Sequence, residues 1–303
     1  MTGLFLVLAL MTYYTPLFIL SFLILPTPFI IIFVRTNLKI SLLAVIAGTT
    51  ILLTMVDPLF TVSMGLTGLI IGGSLGYAFK SNWLASQIIF TGTIAVLILF
   101  LSLFFLAQLI LGINLLDETI VIFYEAFESQ VETMENLGTS ETHIEEVRDM
   151  KRFIEENLIV FLPGAFIAVS IALGYLHTLI NQKLLKRIGY KVTNMPAFQA
   201  WRFPVFLSWF YVIATIALFF QIDLHGYWGM FLANLFVLSS YLLLIQGLSL
   251  LYWLLKAWKG VPKVISVLVI ILALAVPFLN LFVIILGVVD QFFNLRLVLS
   301  KKT

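Results

Sequence analysis

The stretch ESQVETMENLGTSETHIEEVRDMKRFIEEN, residues 128–157, is about the only long polar run in a 303-residue chain that is 62% hydrophobic and 11% charged. An average globular chain carries about one quarter charged residues, so a composition this apolar marks an integral membrane protein. Twelve of the 15 acidic residues lie between Asp117 and Glu156. Where that acid can go is a question of topology, because short loops rich in Lys and Arg stay on the cytoplasmic side while acidic segments are free to cross.

Outward from this run, stretches of about 20 apolar residues, long enough to cross about 30 Å of hydrocarbon, are expected at 41–56, 59–79, 83–113, 158–180, 203–220 and 227–255. The first hydrophobic stretch, 3–34, is too long for one upright helix and holds Pro16, Pro26 and Pro28. It is expected to divide into 3–20 and 21–34. The last stretch, 264–293, is broken by Pro277 and reads as one kinked span or as a hairpin. The expectation is an all-α, polytopic helix bundle of eight spans plus this Pro-broken terminal helix or hairpin. Three parts follow: N-terminal membrane helices over 1–113, an extracytoplasmic acidic helical hairpin over 114–157, and C-terminal membrane helices over 158–303. MTGLFLVLALM lacks a basic leader, so this segment is expected to remain in the mature protein.

Charge tests the order independently. Along the chain come Arg35 and Lys39, Asp57, Lys80, the acidic run, Lys183 to Arg202, Asp223, and then Lys256, Lys259 and Lys263, with the sign alternating at each crossing. Arg296, Lys301 and Lys302 place the C-terminus with the cations. Both termini are expected in the cytoplasm of a cell with the protein in its plasma membrane, and 114–157 outside. Within the acidic run, Phe123, Phe127, Val131, Met134 and Leu137, then Ile144, Val147, Ile154 and Leu158, recur near helical spacing. Gly138 suits the turn between two helices, and THIE at Thr142 is expected to act as a capping box. The plain reading is a solvated antiparallel pair; a lid or a docking surface is the functional one.

Gly68, Gly72 and Gly76, flanked by Gly65 and Gly73, lie four apart, a spacing that lets helix backbones approach closely in lipid. Packing within the chain is the plainer use and a partner interface the other. Ionisable groups at membrane depth mark ion paths, and here the interior polarity is neutral: Gln87, Gln108, Asn234, Gln246, Ser249 and Asn280. Asp290 and Arg296 read as an interfacial anchor or ion pair, although six residues on a straight helix do not share a face. His177 reads as an interface histidine. No HExxH, GxSxG or phosphate-binding loop is present, and the chain has no cysteine. No catalytic residue, metal site, cofactor or nucleic-acid contact is expected, and the chain is not expected to be an enzyme. Trp201 and Arg202, in the elbow KVTNMPAFQAWRFP, suit the membrane interface, with partner docking as the functional alternative.

YYTPLFILSFLILPTPFIIIFVRTNLK, FLPGAFIAVSIALGYLHTLINQKLLKRIGYKV, the WRFP elbow, QGLSLLYWLLK and LGVVDQFFNLR together resemble the YybS-like family of uncharacterised membrane proteins of Gram-positive bacteria. That resemblance implies an N-terminal part similar to the S components of energy-coupling factor transporters, with the rod-shape protein MreD in the same superfamily. The expected function is capture of a small neutral or amphipathic solute beneath the acidic hairpin, lined by Gln87, Gln108, Asn234, Gln246 and Ser249. Uptake would be energised by an ATPase and coupling subunit, since the sequence shows no nucleotide loop and no buried acid. The alternative is a scaffold or regulatory subunit in the bilayer that acts through protein partners, like MreD.

Overall fold

A computed structural model describes residues 1–112, 114–136, 138, 140–220, 222–257 and 262–300. Leu137, Lys259, Lys301 and Lys302 lie outside the described residues. Fourteen α-helices and no strand are found among them. The chain sorts into two compact units, the first Met1–Glu155 with Val169–Met195, the second Glu156–Ala168 with Pro196–Thr303. One long helix, α9 (Glu141–Arg187), contributes to both.

Unit 1 begins with α1 (Thr2–Tyr14), α2 (Phe18–Ile24) and α3 (Thr27–Arg35). The first division falls at Pro16, earlier than the boundary expected near residue 20. Proline restricts the residue before it to extended geometry, and Thr15 adopts φ −126°, ψ 154° and ends α1. Pro26 interrupts a second time, between α2 and α3, without ending the span, whereas Pro28 falls in the first turn of α3, where its missing N–H costs nothing.

Then come α4 (Leu38–Leu52), α5 (Pro58–Thr67), a π-helical turn at Gly68–Gly72 and α6 (Gly73–Lys80). Gly68, Gly72 and Gly76 lie against α3. A Cβ on them would fall 2.5 Å from Phe29 Cε2, 3.0 Å from Phe29 Cβ and 2.7 Å from Phe33 Cβ respectively. The core of this part is apolar and fully buried, with Phe29, Leu25 and Phe5 in one cluster and Ile71, Leu75 and Phe79 in another.

After α7 (Ala85–Leu111), α8 (Leu115–Asn136) and the first turns of α9 form the acidic pair, with Val131 and Ile144 buried between them. Gly138 turns the chain at φ +66°. The expected capping box is absent: Ser140, not Thr142, occupies the N-cap position of α9, and its side chain makes no cap bond. The three cations of the segment pair with its acids: Arg148 with Glu135 at 2.8 Å, Lys151 with Glu128, and Arg152 with Asp149 at 2.6 Å.

Lys151 holds the Glu128 carboxyl below the usual carboxylate range. A depressed folded-state pKa contributes stability above the unfolded value, and that contribution is lost as pH falls through the folded one. Protection of α8 from hydrogen exchange should therefore be weaker in Glu128→Gln than in the parent at neutral pH. The two should converge below about pH 4, and high salt should narrow the gap.

Unit 2 holds the 156–168 segment of α9, a 3₁₀ turn at Phe198–Ala200, α10 (Phe206–Phe219), α11 (Tyr227–Ala257), α12 (Lys263–Ala275), α13 (Pro277–Phe293) and α14 (Leu295–Ser300). The terminal hydrophobic stretch breaks before Pro277, where α12 and α13 are bent by 109°.

Among the described residues five helices can cross a bilayer by length and composition: Phe18–Arg35, Pro58–Lys80, Ala85–Ile110, Glu141–Arg187 and Tyr227–Ala257. The bent pair makes a sixth. Three other apolar helices, α1, α4 and α10, have 13, 15 and 14 residues. At 1.5 Å per residue they reach only about 20 Å.

Candidate functional site

The five polar residues read as a solute lining are divided between the units, Gln87 and Gln108 in unit 1 and Asn234, Gln246 and Ser249 in unit 2. Gln87 and Gln108 sit near opposite ends of α7, about 30 Å apart along the axis. Gln87 is exposed and closes its own helix, its Oε1 accepting from the Leu84 N–H at 3.0 Å. Gln108 is exposed as well.

Asn234, on α11, works on another helix. Its Oδ1 accepts from the Gly164 N–H at 2.6 Å, and its Nδ2 donates to the Val160 carbonyl at 2.8 Å. Those two backbone groups stand one turn apart in α9, beside Pro163, which offers no N–H to its own turn. The amide of one helix thus takes both sides of another's weakened turn. Hydrogen bonds between helices in lipid contribute about 1–2 kcal/mol at most. Asn234→Leu should lower stability by about that much in denaturant titration in bilayers, while Asn234→Asp, which keeps the acceptor and loses the donor, should recover only part.

Gln246 and Ser249, also on α11, enter a buried polar cluster with Asp290 and Arg296. Gln246 Nε2 donates to Asp290 Oδ2 at 2.6 Å, and its Oε1 accepts from the Phe203 N–H at 3.0 Å. Ser249 Oγ donates to the Phe198 carbonyl at 2.6 Å and accepts from Arg296 Nη2 at 3.1 Å. Arg296 also donates to the Gln199 carbonyl at 2.5 Å and lies 3.3 Å from Asp290 Oδ2. Asp290 is 2% exposed and Arg296 7%. A buried acid is therefore present, contrary to the sequence expectation.

The pair forms because α13 stops short of Arg296. Asn294 adopts the left-handed conformation, φ 51° and ψ 52°, with its N–H on the Asp290 carbonyl, and α14 starts in a new direction. Six residues that point apart on one straight helix come together across this corner. Asparagine tolerates that conformation better than most side chains.

A close crossing sets the other half. A Cβ on Gly247 would lie 1.9 Å from the Val283 carbonyl oxygen, and one on Gly287 2.2 Å from that of Leu243. Backbone meets backbone between α11 and α13, which carries Gln246 within reach of Asp290.

Trp201 and Arg202 belong to the same construction. The Trp201 indole donates to the Pro196 carbonyl at 3.2 Å and its ring meets those of Phe198 and Phe203. Arg202, exposed, donates to Asn294 Oδ1 at the helix corner. The elbow is fixed from beneath by Gln246, Ser249 and Arg296, through its backbone. Four buried polar atoms of the cluster have no hydrogen-bond partner: Asp290 Oδ1, Arg296 Nε, Gln199 Oε1 and Gln291 Nε2. His177 is fully buried on α9. No group of three or more His, Asp or Glu that could hold a metal is found among the described residues.

Three of the stretches that carry the family resemblance, WRFP, QGLS and VDQFFNLR, thus converge on one buried cluster. A family profile described as "Predicted membrane protein (DUF2232)" matches residues 3–291. The chain belongs to this family. Among curated proteins it is similar to "Uncharacterized protein YybS" of Bacillus subtilis (strain 168), with 26% identity over 306 residues that cover 97% of this chain and 94% of the relative. No solved structure matches. Membership agrees with the helical, apolar architecture, and the matched residues 3–291 include the elbow, the α11–α13 crossing and Asp290.

Proposed function

We propose that the protein is a non-enzymatic, multi-pass component of the plasma membrane that acts through protein partners, as a scaffold or regulatory subunit. The observation that carries this reading is the use of its interior polarity. Asn234, Gln246 and Ser249 are engaged in bonds that fix the chain's own backbone, and Gln87 caps a helix, so this polarity serves the fold. The Gln246 and Ser249 bonds hold in place a shaped elbow at Trp201 and Arg202. The acidic pair offers a second partner surface, with an open groove of about 510 Å³ lined by Glu128, Glu132, Glu135 and Arg148 among others.

The orientation we propose has the basic ends in the cytoplasm and the acidic pair outside. In unit 1, Lys80 caps α3 through the Thr36 carbonyl and Arg35 donates to the Tyr190 hydroxyl, so cationic ends of several helices share one side. The acidic pair leaves from the far end of α7, about 40 Å away along the helix. Counting α1, α4 and α10 as short spans with local bilayer thinning restores eight crossings before the bent terminal pair.

Photo-crosslinking residues placed at Glu132 and at Trp201 test the reading. One membrane protein should be captured at each position, and charge reversal by Glu128→Lys with Glu135→Lys should abolish capture at the first alone. Absence of any adduct, together with a stoichiometric metabolite on the purified protein that Gln246→Ala removes, would overturn it in favour of solute capture.

A further inference from the structure

On α9, one turn apart and both fully buried in unit 1, stand His177 and Asn181. His177 Nδ1 lies 3.0 Å from the Leu23 carbonyl, at the break between α2 and α3 where Pro26 carries no N–H. A carbonyl only accepts, so Nδ1 bears the proton and Nε2 of the neutral ring is left as a lone-pair acceptor. The Phe22 ring meets the imidazole at 5.9 Å between centroids and fixes its plane. Asn181 Nδ2 donates to the His177 carbonyl at 2.8 Å, an arrangement that the reversed amide could not make, and this leaves Asn181 Oδ1 as a second acceptor. Neither His177 Nε2 nor Asn181 Oδ1 has a partner, and the Thr27 hydroxyl, just past the same break, has none either.

Two unmatched acceptors thus stand one turn apart on one helix, a spacing at which side chains are neighbours. Leaving them unmatched in an apolar interior is costly. A cation is disfavoured as the bridge, because the charged side chains on the elements that supply the site are Arg35 on α3 and Lys183, Lys186 and Arg187 on this end of α9, with no carboxylate among them.

We propose that His177 and Asn181 form an internal recognition site in unit 1 for one neutral group with two hydrogen-bond donors, supplied by an amide- or urea-type solute or by a structural water. The site is separate from the elbow, and it stands whether or not the partner reading holds.

The test uses the full chain in lipid nanodiscs with ¹⁵N-labelled imidazoles. His143 and His225 are exposed, and His177→Phe assigns the remaining resonance. His177 Nε2 should read as an unprotonated nitrogen that accepts a hydrogen bond. With acetamide as the probe, a saturable shift that weakens about tenfold in Asn181→Leu assigns the donor to a solute. A bonded Nε2 that is indifferent to acetamide and shows a cross-peak to water assigns the same donor chemistry to a structural water. A protonated or unbonded Nε2, with Asn181→Leu at least as heat-resistant as the parent, overturns the proposal.

Discussion

Asp290→Ala should destabilise unit 2 by about 3–5 kcal/mol, the range for stranding one member of a buried ion pair. Arg296, 7% exposed, would keep its bonds to Ser249 and the Gln199 carbonyl but lose its counter-charge, and Gln246 Nε2 would lose its acceptor. The compensating variant carries the sharper expectation. Asp290→Leu combined with Arg296→Met removes both charges, and such replacements are often neutral or stabilising by about 1–4 kcal/mol. The double variant should therefore unfold at a denaturant concentration close to the parent's while the single one falls well below it. A double variant as weak as Asp290→Ala would mean that the charges hold nothing beyond what their neighbours require. Cysteine crosslinks between the elbow and α14 should form in the parent and the double variant and fail in Asp290→Ala.

The second large effect belongs to the α11–α13 crossing. Gly247→Val sets a branched side chain where a Cβ alone would lie 1.9 Å from a backbone oxygen of Val283. The obstacle is main chain, which cannot rotate away, so the helices must separate and the Gln246 to Asp290 bond of 2.6 Å must break with them. Overpacking typically costs about 1–3 kcal/mol, and here the lost bond adds to it. Gly73→Val, in unit 1, should cost far less, because a Cβ there meets nothing within 4 Å. Parallel unfolding of the two variants in the same lipid checks the contrast; equal losses would remove the crossing from consideration.

Much of the architecture was legible. Mean composition and run length announce the bilayer, and the Gly68, Gly72 and Gly76 spacing lies where rings of Phe29 and Phe33 approach. Pro16 was visible, yet the division was expected at the midpoint of the hydrophobic run instead of at the residue whose geometry requires it. The buried ion pair was hidden for a definite reason: helical periodicity assumes an unbroken helix, and Asn294 breaks it. The Asn beside Leu295 and Arg296 was the available signal. Depth in the sequence also says little about use. Gln87 and Gln246 are the same amide among apolar neighbours, but one lies in a first turn and closes it, while the other meets a carboxylate that only the crossing of α11 and α13 brings near.

The two units interleave along the chain, since residues 156–168 cluster with unit 2 and 169–195 return to unit 1. Synthesis from the N-terminus therefore delivers a piece of the second body before the first is complete, and that piece waits for α11 with its Pro163 turn unsupported. No single cut yields two whole halves. Of co-expressed fragments divided after Met195, the C-terminal one should need the 156–168 helix carried by the other to mature, which makes the order of membrane insertion part of how this protein is built.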